Sequence, residues 1–219
     1  MYLFSTPNIL KKLYPKHAVW EIKTPEKAIY LTFDDGPIPE VTPWILDILE
    51  KYQAKATFFC LGKNVNNNPA LYKMLTDAGH SIGNHSYGHP NGWKTHTKNY
   101  IEDVEQCSSL VISSFFRPPY GKIKLSQFRL LKRKYTFIMW SVMSGDFDPL
   151  LDKEKCLEKI LKNTSNGSIV VFHDSLKAKE KLQYVLPKFL EHFTNLGYSF
   201  LPLSLPCRQA GAEMFREKS

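Results

Sequence analysis

Apolar and β-branched residues fall into short runs along the chain, separated by stretches with helical spacing. Runs at 27–33, 55–60, 81–85, 115–118, 136–142, 168–173 and 198–203 are predicted strands. Most are almost continuously apolar rather than alternating, as in strands covered on both faces. Between them, Thr42-Pro43 predicts a helix start, with Thr42 as N-cap and Pro43 in the first turn, and Ile45, Leu46, Leu49 and Tyr52 keep the spacing. Asn68-Pro69 repeats that signal ahead of Leu71, Met74, Leu75 and Ala78, and Gly79 supplies a helix-ending residue. Leu182, Val185, Leu186, Phe189, Leu190 and Phe193 form an apolar stripe that closes near Gly197. Pro187 lies inside that stripe and predicts a kink or a later start. Segments 100–113 and 152–163 are less regular helices.

Strand–helix alternation of this kind implies a parallel sheet with right-handed crossovers. Seven strands suit either an open doubly wound sheet or an α/β barrel, and the polar residues decide between them. Asp34-Asp35, His85, Arg117, Asp146 and His173 all stand at or just past the C-terminal ends of predicted strands. In a β/α barrel those ends share one face, where active sites are built. The expected fold is therefore a closed or incomplete β/α barrel of parallel strands. It is read as a single domain over 1–219, with its core at about 26–205.

Composition narrows the function. Of 219 residues, 43% are hydrophobic, enough for a sizeable core, and no run is long and apolar enough to predict a transmembrane segment. The net charge of +8 would suit a nucleic-acid binder, but much of the lysine sits in mixed-sign stretches such as Asp152-Lys153-Glu154-Lys155, the pattern of solvated helix faces. No nucleic-acid partner is expected. Cys60, Cys107, Cys156 and Cys207 are far apart and form no CxxC pair, so they read as free thiols. Lys11, Lys12, Pro7 and Pro15 interrupt any apolar core near the N-terminus, so no signal peptide is visible and the sequence by itself reads as cytoplasmic.

The chemistry-bearing residues admit more than one reading singly. Asp34-Asp35-Gly36-Pro37 has the composition of a surface turn, yet two adjacent carboxylates after an apolar strand repel each other unless a metal or a base offsets them. His85 and His89 are spaced so that two imidazoles can share one ion, although HxxxH also arises by chance. Arg117 precedes a rigid Pro118-Pro119 corner, either as a surface residue or as a bidentate carboxylate partner. Two histidines and a carboxylate leave open positions on a metal, as in hydrolytic zinc sites and iron oxygenases. A hydrolase also needs a base and an acid, roles that Asp34 and His173 fit, with Arg117 and Asp146 as orienting partners.

Taken together, the motifs resemble the polysaccharide deacetylases of the NodB-homology family, carbohydrate esterase family 4. That family is marked by T-F-D-D-G, H-[ST]-x-x-H, R-x-P-Y, a segment ending in D-W, and L-x-H. Here the matching stretches are Thr32-Phe33-Asp34-Asp35-Gly36, His85-Ser86-Tyr87-Gly88-His89, Arg117-Pro118-Pro119-Tyr120, Asp146-Phe147 and Val171-Phe172-His173, in that order. The resemblance implies a distorted or incomplete (β/α)7–8 barrel of parallel strands and a divalent metal, zinc first with Co2+, Ni2+ or Mn2+ as alternatives, bound by Asp35, His85 and His89. It implies Asp34 as general base, His173 as general acid, Arg117 positioning Asp34, Asp146 tuning His173, and the Tyr120 N–H helping to hold the oxyanion.

The implied activity is removal of acetyl groups from an acetylated oligo- or polysaccharide such as peptidoglycan or chitin oligomers. Three departures stand out: Phe147 where the family often has Trp and Val171 where it has Leu, both shaping the pocket around the acetyl methyl, and Met143 where an earlier Asp is common, which bears on the tuning of His173. Trp93, Tyr87, Phe147 and Val171 are the expected substrate contacts, while Trp140 reads as core. Alternatives are an amide hydrolase on a small non-sugar substrate and a catalytically silent carbohydrate-binding domain.

Overall fold

The structure is a computed structural model that describes residues 4–7, 9, 11, 14–15 and 18–204. Cys207 and the polar tail after Pro206 lie outside the described residues. Its strands are β1 (Ala18–Val19), β2 (Ala28–Asp34), β3 (Ala56–Cys60), β4 (Ser81–Asn84), β5 (Phe115–Phe116), β6 (Thr136–Ile138), β7 (Val142–Met143), β8 (Ile169–His173) and β9 (Ser199–Phe200). The helices between them are α1 (Thr42–Lys51), α2 (Gly62–Asn67), α3 (Pro69–Asp77), α4 (Thr97–Ser108), α5 (Leu125–Leu131), α6 (Lys153–Asn163) and α7 (Lys179–Asn195), with one 3-10 turn at Pro119–Gly121. Among the described residues, no helix is long and apolar enough to cross a membrane.

The strands form a curled parallel sheet in the order β1-β6-β5-β4-β3-β2-β8-β7, which is the distorted barrel expected. β6 and β7 bound its seam and come from one continuous segment. The sequence predicts a single strand over 136–142, but the chain leaves the ladder after Ile138. Its first part pairs with β5 and its last part with β8. β1, not foreseen, fills the seam, with Met139 N–H donating to Val19 O at 2.7 Å and Ile22 N–H to Gly167 O at 2.9 Å. The predicted seventh strand shortens to β9, which pairs only with the start of β2.

Alternation along β2 explains the layering. Ile29, Leu31 and Phe33 pack outward with Leu182, Val185, Leu186, Phe189, Leu190 and Phe193 of α7 in the main core. Ala28 and Tyr30 face the opposite way, into a smaller cluster with Phe59, Phe115, Ile138 and Ile169. Two residues further on, Thr32 and then Asp34 continue that inward row. The helix α7 runs from Lys179 to Asn195 with Pro187 inside it, so the late start is not seen. Thr42 is not the N-cap of α1 but its first residue. Its hydroxyl accepts Ile38 N–H at 2.7 Å and donates to Asp174 at 3.1 Å.

Candidate active site

Parallel pairing sets Asp34, the last residue of β2, in register with His173, the last residue of β8. The neighbouring ends of β4 and β5 deliver His85 and Arg117, joined by Arg117 N–H to Asn84 O at 3.0 Å. These side chains meet at the mouth of the barrel, on a cleft of about 620 Å3.

Arg117 is fully buried and ties the site together. Its Nη1 reaches Asp34 Oδ1 at 2.7 Å and Thr32 Oγ at 2.8 Å. Its Nε and Nη2 donate to Ile138 O at 3.1 Å and Met139 O at 2.9 Å. The break in the ladder after Ile138 therefore serves the arginine. The guanidinium also lies 4.1 Å from the Phe59 ring centre. Burial alone would raise the Asp34 pKa, but Arg117, and after it His85 and His173, hold it below the ordinary carboxylate value.

Asp35, His85 and His89 bring one ligand atom each to within 4.8 Å of one another. Asp35 Oδ1 lies 3.4 Å from His89 Nε2 and 3.7 Å from His85 Nε2. His85 Nδ1 sits 2.7 Å from Arg117 O. A carbonyl only accepts, so Nδ1 carries a proton and Nε2 is the ring nitrogen that faces Asp35, where a metal would be taken. Burial, and then His85, lower the His89 pKa to about 4, so this imidazole is neutral at ordinary pH. Two imidazoles and a carboxylate fit a divalent ion of the zinc type.

The backbone shapes this corner. Asp35 (φ 88°), Ser86 (φ 70°), His89 (φ 61°) and Tyr120 (φ 59°) are four of the five non-glycine residues at positive φ among those described. Such conformations cost on the order of 1–3 kcal/mol each and concentrate at functional sites. The strain is held by hydrogen bonds. Asp103 Oδ1 accepts Tyr87 N–H at 2.8 Å, and Ser86 Oγ accepts His89 N–H at 3.1 Å.

Across the cleft, His173 Nδ1 lies 2.8 Å from Asp146 Oδ1, and its amide donates to Asp146 Oδ2 at 2.8 Å. Burial opposes a charge on His173, yet Asp146 outweighs it and raises the imidazole to about 9. Phe147 packs edge-on against the His173 ring at 4.9 Å, and Tyr120 against His89 at 4.4 Å.

Of the expected substrate contacts, Phe147 lines the cleft, as does the departure residue Met143. Val171 is buried two residues below His173 and does not reach the cleft wall. Tyr87 is also absent from the wall and packs beside Gly62, where an added Cβ would meet its ring at 2.7 Å. Trp93 stands outside the cleft, 61% exposed, with its Nε1–H on Ile123 O at 3.3 Å. Trp140, read as core, packs against the smaller core cluster and also lines the cleft. Asn64, Leu176 and Lys177 line it too, without a motif in the sequence to mark them. Asp174, equally unforeseen, is buried behind the site.

Fold and site together define a distorted β/α barrel with a cleft at its strand ends that gathers Asp34, Asp35, His85, His89 and His173. Residues 21–137 match the family model described as Polysaccharide deacetylase, and the chain belongs to that family. It is 35% identical over 202 residues to a peptidoglycan-N-acetylglucosamine deacetylase of Bacillus cereus, covering 89% of this chain and 95% of that protein. It is 33% identical over 209 residues to a peptidoglycan-N-acetylglucosamine deacetylase of Listeria monocytogenes, covering 90% of this chain but 44% of that longer protein. A solved peptidoglycan N-acetylglucosamine deacetylase, in complex with 4-naphthalen-1-yl-N-oxidanyl-benzamide, superposes with a TM-score of 0.79 at 31% identity, over 90% of this chain and 94% of that one.

Proposed function

We propose that this chain is a metal-dependent deacetylase that hydrolyses the N-acetyl group of N-acetylglucosamine units in an oligo- or polysaccharide, peptidoglycan foremost. One observation carries the reading: Asp34 and His173, in register on adjacent strands, flank the Asp35–His85–His89 donor set in a single cleft. The names of the similar proteins support the choice of sugar.

A divalent ion held by Asp35, His85 and His89 would supply Lewis acidity toward water and the acetyl carbonyl. Arg117 fixes Asp34 Oδ1, while Oδ2 faces His85 Nε2 at 3.9 Å. Asp34 accepts a proton from the attacking water, whose oxygen bonds to the acetyl carbon. The Tyr120 N–H, set at the cleft by that residue's positive φ, donates to the developing oxyanion. Loss of one such donor costs ~3 kcal/mol of barrier. His173, protonated because Asp146 outweighs its burial, gives a proton to the departing nitrogen as the C–N bond breaks. Acetate and a free amine leave.

Acetate release from N-acetylglucosamine oligomers and peptidoglycan fragments tests the proposal, first with chelated protein and then with zinc restored. Metal-dependent release is expected. No release with any divalent ion from these glycans would overturn it in favour of a small-amide hydrolase.

A further inference from the structure

The chemistry proposed above leaves one fully buried carboxylate unused. Asp174 follows His173 directly, and strand alternation turns it away from the cleft, behind the Asp34-Asp35-Gly36 turn. Its Oδ1 accepts Gly36 N–H at 2.8 Å, its Oδ2 accepts the Thr42 hydroxyl at 3.1 Å, and its amide donates to Asp34 O at 3.0 Å. The approach is so close that a Cβ at Gly36 would lie 1.7 Å from Asp174 Oδ2, which explains the glycine of the motif.

The same turn is gripped from α2. Asn64 Nδ2 donates to Asp35 O at 2.6 Å, and Leu61 N–H donates to Gly36 O at 3.0 Å. The carbonyls of Asp34, Asp35 and Gly36 and the amide of Gly36 are thus all hydrogen-bonded, on both sides of a residue in the left-handed region. Without those bonds the Asp35 backbone would relax toward φ < 0 and swing its carboxylate away from His85 and His89.

We propose that Asp174 and Asn64 are positioning residues that hold Asp35 in its ligand conformation, Asp174 from β8 and Asn64 from α2. The proposal rests on the reading of Asp35, His85 and His89 as a metal site. It assigns Asp174 to ion affinity and not to the acid chemistry of its neighbour His173.

Zinc affinity, measured by chelator competition on the full chain, tests this alongside thermal melting of the metal-free protein. Asp174→Ala and Asn64→Ala should each weaken zinc binding by about 10-fold or more, the usual effect of losing a partner that orients a ligand. Asp174→Asn, which keeps an acceptor for Gly36 N–H, should restore most of the affinity. A purely structural role would lower the melting temperature and leave zinc affinity unchanged. If Asp174→Ala does not fold, Asn64→Ala decides, since Asn64 is only half-buried on a short outer helix. Wild-type protein that binds zinc while the folded variants bind it equally well overturns this proposal alone. Wild-type protein that binds no zinc overturns the metal reading and this proposal with it.

Discussion

The His173 ring and the His173 amide both bond the Asp146 carboxylate, one to each oxygen, at 2.8 Å. One fully buried acid thus sets both the tautomer of the imidazole and the position of its strand end. The carboxylate keeps the ring cationic up to about pH 9, so the acid form is present at neutral pH and is lost as pH rises through that value. In Asp146→Asn, burial acts without its counterweight and the His173 pKa falls. The alkaline limb of the kcat–pH profile should therefore move to lower pH, with KM little changed.

Arg117 and Asp34 behave as one unit. Arg117→Ala leaves a buried carboxylate without its cation, a change that costs about 3–5 kcal/mol in comparable pairs. The melting temperature should fall. With the arginine gone, burial also raises the Asp34 pKa, so the acid limb of the activity profile should move to higher pH. Arg117→Lys should not rescue either effect, because an ammonium cannot reach Asp34, Thr32, Ile138 and Met139 together.

Asp34→Asn removes the base while keeping an acceptor for Arg117. Acetate release should drop by about 10²–10⁴-fold, the range for general base catalysis. Zinc binding should persist. A variant that retained full activity would reassign the base.

Trp93 is held by its Nε1–H, and its exposed ring lies under Lys122 Nζ at 5.3 Å, beside the loop that carries Tyr120. If it supports distant sugar rings, Trp93→Ala should raise KM for longer oligomers and leave a disaccharide unaffected. Equal KM values across chain lengths would remove Trp93 from the substrate path.

Strand-end residues were the legible part of the sequence. Asp34, Asp35, His85, His89 and His173 gather in one cleft, with Arg117 and Asp146 buried behind it, because parallel strands deliver their C-terminal ends to one face. The partners of Arg117 were less legible. The sequence 136–142 is β-branched or apolar apart from Ser141, so its pattern does not mark the break after Ile138 that turns two carbonyls to the guanidinium. Asp174 was hidden differently. It meets Gly36 and Thr42 across separations of 138 and 132 residues, and a lone aspartate after a strand gives no sign of such distant partners. Tyr87 packs against the main core rather than lining the cleft, and Trp140 both packs against a core cluster and lines the cleft, because neither a polar loop nor an apolar stretch reveals which way an aromatic ring turns.

The left-handed turns at Asp35, Ser86, His89 and Tyr120 have a consequence for transplanting this chemistry. Copying the ligand and acid–base side chains onto another barrel would carry over the amino acids without the main-chain bends that aim them. The portable unit is larger: the first-strand turn with its Asp174 and Asn64 braces, the 85–89 loop with Asp103, and the arginine corner with the seam it bonds. Outer helices remote from those braces can be exchanged far more freely, as a scaffold tolerates new cladding while its joints stay put.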